Sequence, residues 1–275
     1  MANNRIWLVG GTSESATLAK AIVQSQLPCT VTVTTAAAQA LYPTSPLLRI
    51  RVGCLDFPQL SEFLQEQKIT AILDASHPYA VEISRLAIQV AREKQIPYLR
   101  YERPKCQGVV KGKTQSSRQL RSNNFAQSSP TITILDNFET LIVGDYLKGE
   151  RVLLTSGYKT LHLFEPWQNF STLFARILPS PESVQAALNA GFTPDRLIAI
   201  RPPISASLEK SLWQQWHISL VVTKASGVAG GEDIKRSLVA ELGIKLVIIQ
   251  RPEIDYPHKT SDLFQAINFC QQIVG

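Results

Sequence analysis

The stretch Trp7–Ile22, WLVGGTSESATLAKAI, decides the fold. An apolar run ends on two adjacent glycines, and a cluster of hydroxyls follows. Ala16, Leu18, Ala19, Ile22 and Val23 then recur at helical spacing. Strand, small-residue turn and helix together open a βαβ unit. Gly10 and Gly11 let the backbone approach a ligand closely, Thr12 and Ser13 add hydroxyl donors, and the helix points its first N–H groups at the same spot, as a phosphate requires. The stretch departs from the G-x-G-x-x-G fingerprint, because the glycines are adjacent and the third glycine position is empty. A tight turn with Thr12 or Ser13 as the N-cap accounts for the same residues.

Outward from this stretch the alternation continues. Strands are expected at 5–10, 29–35, 47–53, 70–76 and 97–104, with helices at 14–26, 57–68 and 80–95. The strands are apolar runs without strict alternation, as in a parallel sheet covered on both faces. Residues from about 106 to 130 are polar and break the pattern, as a surface loop does. Strands then return at 131–135, 151–157, 171–178, 196–201, 218–224 and 245–250, with helical patterns at 183–191, 205–216, 231–243 and 261–274. The expected fold is α/β: two Rossmann-like doubly wound domains with parallel sheets and a cleft between them. The first domain is 1–103 and the second 104–275, with 104–130 a loop or insertion.

The 275 residues carry a net charge of +6, with lysines and arginines spread along the chain. Without a motif or aromatic interleaving this is no nucleic-acid footprint, but it suits an anionic small molecule. No apolar run approaches the roughly 18 residues of a membrane helix, and the N-terminus lacks the features of a signal peptide. A cytoplasmic protein is expected, a monomer or small homo-oligomer. Cys29, Cys54, Cys106 and Cys270 show no metal-ligand spacing. They read as reduced thiols, with a chance pair or one reactive thiol left open.

In a doubly wound domain, ligands bind beyond the carboxyl ends of the strands. Thr34 and Thr35 close the second strand where NAD-binding domains usually carry an acid. A hydroxyl pair tolerates a 2′-phosphate, which favours NADPH and keeps NADH as the alternative. Arg51 either supplies a nearby cation or is a solvated charge, the commoner case. DASHPYA, 74–80, follows the fourth strand, so His77 and Tyr79 sit on the ligand edge, although a lone histidine is more often structural. TSGYKT, 155–160, is a second small-residue loop. TKASGVAGGEDIK, 223–235, puts Lys224, Ser226, Gly227, Gly230 and Gly231 just before a helix, an anion-binding concavity or a flexible helix entry.

The set GGTSE (10–14), RVG (51–53), DASHPYA (74–80), PYLRYERP (97–104), LLTSGYK (153–159), RILP (176–179) and VTKASGVAGGEDIK (222–235) resembles the precorrin-6A and cobalt-precorrin-6A reductases of cobalamin biosynthesis. The resemblance runs through nearly the whole chain and is weakest at 106–130. It implies NAD(P)H-dependent reduction of one macrocycle double bond of an anionic tetrapyrrole-derived substrate, giving precorrin-6B or its cobalt form. Cofactor contacts are expected at Gly10, Gly11, Thr12, Ser13, Glu14, Thr34, Thr35, Gly53, Asp74, Ala75 and Ser76. Substrate contacts fall on Ser156, Tyr158, Lys159, Ser226, Gly227, Gly230 and Gly231. His77, Tyr79 and Lys224 are the candidate proton donors, with water as the alternative. One rival is a reductase of a small carbonyl compound, which lacks a well-placed Tyr-x-x-x-Lys pair here. Another is an NADP(H)-binding sensor, which leaves the second glycine-rich loop unexplained.

Overall fold

The computed structural model describes residues 4–104 and 132–275. Cys106 and the expected loop at 104–130 lie, but for Pro104, outside the described residues. The chain divides into two units, residues 1–104 with 252–275, and residues 105–251.

In the first unit the strands are β1 (Arg5–Val9), β2 (Cys29–Val33), β3 (Leu48–Val52), β4 (Ile69–Asp74), β5 (Tyr98–Tyr101) and β12 (Lys259–Thr260). They pair in parallel in the order β3-β2-β1-β4-β5-β12. The helices are α1 (Ser13–Gln24), α2 (Ala36–Gln39), α3 (Phe57–Glu66), α4 (Val81–Lys94) and α9 (Leu263–Val274). Successive strand residues face opposite sides. Ile6 and Leu8 join Leu18, Ile22, Ala266 and Cys270 on one side, while Trp7 and Val9 join Leu60, Phe63, Ile88 and Ala91 on the other. Every residue of β1 and β2 is buried, as two covered faces demand.

The second unit repeats this plan. Its strands are β6 (Ile132–Leu135), β7 (Arg151–Leu154), β8 (Thr172–Ile177), β9 (Leu197–Ala199), β10 (Leu220–Lys224) and β11 (Lys245–Ile249), in the parallel order β9-β8-β7-β10-β11-β6. Helices α5 (Phe138–Val143), α6 (Pro181–Asn189), α7 (Ala206–Gln215), α8 (Glu232–Leu242) and a 3-10 stretch over Tyr158–Asn169 cover it.

Both sheets therefore have the doubly wound order 3-2-1-4-5-6, with one difference of connection. After its fifth strand each half sends the chain to the sixth strand of the other sheet: β5 leads to β6, and β11 leads to β12. Residues 252–275, assigned from sequence to the second domain, accordingly pack with the first. The cause is the apolar stripe of α9, whose Ala266 and Cys270 enter the core beside Leu8 and Leu18. Cys29 and Cys270 are buried thiols in that core, and burial pushes both pKa values up.

Candidate functional site

In each sheet the strand order reverses at one place, between β1 and β4 and between β7 and β10. The crevice beyond such a switch point is where doubly wound sheets hold ligands. The loops singled out from sequence sit on these two crevices.

At the first switch point the two glycines do different things. A Cβ on Gly10 would lie 2.3 Å from the Tyr42 hydroxyl, so glycine there admits Tyr42. Gly11 has φ +97° with open space around it, the geometry that lets a ligand meet bare backbone. The hydroxyls divide in the same way. Thr12 caps α1: its Oγ1 accepts from Ser15 N (3.0 Å) and donates to Ala75 O (2.9 Å), tying the β1 loop to the β4 loop. Ser15 Oγ completes the capping box and lies 2.6 Å from the Tyr42 hydroxyl, which also accepts from Gly11 N at 2.7 Å. Thr12 and the Gly11 amide are thus engaged within the protein. Ser13 is exposed, its hydroxyl donates to Glu14 Oε2 at 3.1 Å, and the first-turn amides of Ser13 and Glu14 have no intrahelical acceptor. Glu14 accepts from Arg103 at 2.8 Å, so its carboxylate does not stand alone at this helix start.

Asp74 is a correction to the expected cofactor contacts. It is 0% exposed, and its oxygens accept from Arg100 (2.8 Å), Ser84 (2.6 Å), Tyr98 (2.8 Å) and Ser76 N (3.0 Å), which leaves no face for a ligand. Arg100, fully buried in β5, also donates to Ser76 Oγ (3.0 Å) and Ser76 O (3.1 Å) and lies over the Tyr256 ring. Burial is the largest influence and works against its charge, but Asp74, Tyr256, Tyr98 and Glu102 together outweigh it and the guanidinium pKa is raised. Ala75 and Ser76 are nearly buried as well, and only a cavity of about 10 Å³, space for about one water, remains between Thr12, Glu14, Ser76 and Arg103. Asp74, Ala75 and Ser76 therefore shape the loop that carries His77. Sequence reasoning quoted Arg100 inside a motif without giving it a role, because nothing local announces a buried arginine.

His77 is exposed and Tyr79 half-buried. The Tyr79 amide donates to His77 Nδ1 at 3.3 Å, which puts the neutral ring's proton on Nε2. Thr34 and Thr35 are exposed beyond β2, and Thr35 makes no side-chain cap bond to α2. Gly53 follows β3 and donates to Val33 O. Arg51 lies over the Phe63 ring at 5.5 Å.

At the second switch point Thr155 binds Val222 O through its amide and its hydroxyl. Ser156 is buried against Thr160 at 2.8 Å, and Tyr158 packs on the core. Tyr158 is half-buried and Lys159 is exposed. Lys224, the last residue of β10, lies over the Phe138 ring, and burial, followed by the charge of Lys159, pulls its ammonium down to about 8. In the glycine-rich loop the amides turn inward: Gly227 N donates to Glu232 Oε2 (2.9 Å), Gly230 N to Gly227 O (3.0 Å) and Gly231 N to Val228 O (2.8 Å). These three do not offer the anion contacts expected of them. The loop instead presents Val228, 67% exposed, and charge on this edge comes from Lys159 and Lys224.

The arrangement as a whole has known counterparts. The family model described as Precorrin-6x reductase CbiJ/CobK matches residues 5–271. A cobalt-precorrin-6A reductase of Synechocystis sp. is 42% identical over 270 residues, 97% of this chain and 96% of that protein. One of Priestia megaterium is 31% identical over 255 residues, covering 91% and 92%. A solved structure titled CobK precorrin-6A reductase shares the fold at a TM-score of 0.73, with 20% identity over 98% of this chain and 96% of that one. The sheet order, the two loop-bearing switch points and these matches agree, and the chain belongs to the precorrin-6x reductase family.

Proposed function

We propose that the protein reduces one double bond of precorrin-6A, in its cobalt-bearing form, using NADPH. The family match over residues 5–271 carries the reductase reading, and the shared name of the two relatives supports cobalt in the ring. Precorrin reduction is the family's activity and belongs to cobalamin biosynthesis. When bound, the nicotinamide supplies hydride, and the protein supplies position and a proton.

The first unit suits the cofactor. The missing side chain at Gly11, the first-turn amides of Ser13 and Glu14, which have no intrahelical acceptor, and exposed Ser13 fit a phosphate at a helix start. Thr34 and Thr35 fit the ribose, and the lack of an acid beside them fits a 2′-phosphate. The second unit suits the anionic ring, with exposed Lys159 for its carboxylates and Val228 for its apolar face. Lys224, protonated below about pH 8, is the proton donor we favour, because a donor works best with a pKa near the operating pH. His77 is the second candidate.

Titration with NADPH and NADH, read by nicotinamide fluorescence, tests the cofactor assignment. NADPH is expected to bind the tighter. Equal binding would remove the two-threonine argument, and binding of neither would remove the cofactor from the first unit. His77→Ala should lower turnover more than cofactor affinity, and unchanged turnover would take His77 out of the mechanism.

A further inference from the structure

Lys235 stands on the second turn of α8, is 1% exposed, and makes no ion pair among the described residues. Its ammonium donates to two carbonyls of the glycine-rich loop, Gly230 O at 3.2 Å and Gly231 O at 3.1 Å. Three residues earlier on the same helix, Glu232, 2% exposed, takes the Gly227 amide at the loop's other end and holds Arg236 at 2.9 Å. A buried cation at a helix start is unfavourable twice over, by desolvation and by the helix dipole. A leucine or methionine would fill the volume without either cost. What only the cation supplies is a donor to both carbonyls at once.

We propose that Lys235, opposed by Glu232, is a positioning residue of this reductase: it clamps the loop at 227–231 so that Val228 stands out to meet the apolar face of the macrocycle. This rests on the reading that the anionic ring lies at the second switch point. The loop's three glycine amides and its two last carbonyls are all held by the protein, so its shape is set from below and only Val228 and Ala229 are exposed at its tip. Arg176 of β8, Glu209 of α7 and Glu232 and Asp233 of α8 are the charged groups that act on the ammonium. Burial is the largest influence, Arg176 adds to it, and the three carboxylates oppose it, leaving the ammonium at about 8. Arg176 is itself paired with Glu209, whose second oxygen accepts from Trp213. The clamp therefore loosens as its charge is lost in mildly alkaline solution.

The test combines [15N]glycine NMR of the full chain with steady-state kinetics. The Gly231 amide reports on the Gly230 carbonyl, and should titrate with a midpoint near 8 in the wild type and in Lys224→Met, but not in Lys235→Met. Lys235→Met should raise KM for the ring substrate roughly tenfold with kcat within a factor of about two, the signature of lost uniform binding. Lys235→Arg, which keeps the charge, should recover most of it. Loss of the titration without a change in KM would overturn the proposal. So would a Gly231 amide that does not titrate in the wild type, a measurement that holds even if Lys235→Met fails to fold. Val228→Asp separates the underlying reading: it places a charge on an exposed tip and should raise KM for an anionic ring. If it leaves KM unchanged, the ring does not meet this loop, whatever Lys235 does.

Discussion

Lys224 and Lys235 set opposite pH trends for activity and stability. Both ammoniums are lowered to about 8 from an ordinary 10.5. Below pH 8 folded and unfolded chains both hold these protons, and the fold carries the full cost of burying the charges. Between 8 and 10.5 the unfolded chain binds more protons than the folded one, so this contribution makes stability rise with pH. Urea midpoints should therefore increase from pH 7.5 toward 9.5, while kcat falls as Lys224 loses its proton. Lys224→Met should abolish that alkaline limb and lower kcat by roughly 10²–10⁴-fold. A limb that persists in the variant would reassign the proton. Arg100→Met is predicted to be the costliest change near the first site, about 3–5 kcal/mol in chemical unfolding, because it strands the Asp74 carboxylate where no water reaches it. Sequence could place Asp74, His77 and Lys224 at strand ends, where Asp74 and Lys224 are indeed found. It could not show that Asp74 turns inward, since its partners Ser84, Tyr98 and Arg100 come from two later elements.

The start of α1 shows how one cap serves two purposes. Asp56 caps α3 with the same box, bonded to Gln59 and, among the described residues, to nothing in another loop. Asp56→Ala should cost about 1 kcal/mol, the ordinary worth of a cap, and leave reductase kinetics alone. Thr12→Ala should cost a comparable amount for the cap and also release the β4 loop from Thr12, so NADPH affinity should fall as well. Equal kinetic silence in both variants would detach the β1 loop from cofactor binding. The helices that sequence periodicity predicts, such as α1, α3, α4 and α8, are present because their apolar stripes face a sheet. The elements it passed over carry weak signals for physical reasons. β12 is two polar residues paired to β5 at one edge, α5 is six residues long, and the 3-10 stretch contains Pro166. The glycine-rich loop was legible as a special turn, but the inward Gly227 amide depends on Glu232, whose side-chain direction no spacing reveals.

The two units differ in how much of the chain they need. Everything described of the second unit lies between Ile132 and Arg251, whereas the first also takes in residues 252–275. Truncation after Arg251 should therefore damage the first unit and spare the second. Amide exchange protection in β1, over Arg5–Val9, should collapse while β7 and β10 stay protected. Loss of protection confined to β11 would contradict the assignment of α9. The crossed sixth strands also bear on how the molecule is made. A ribosome releases β1 to β5 first, yet these strands must wait, their edge open beside β5 and the α9 groove on Leu8 and Leu18 uncovered, until β12 and α9 have been made. The half that starts second can finish first. A nascent chain made only as far as Arg251 thus holds every described strand of the second sheet while the first still lacks β12 and α9.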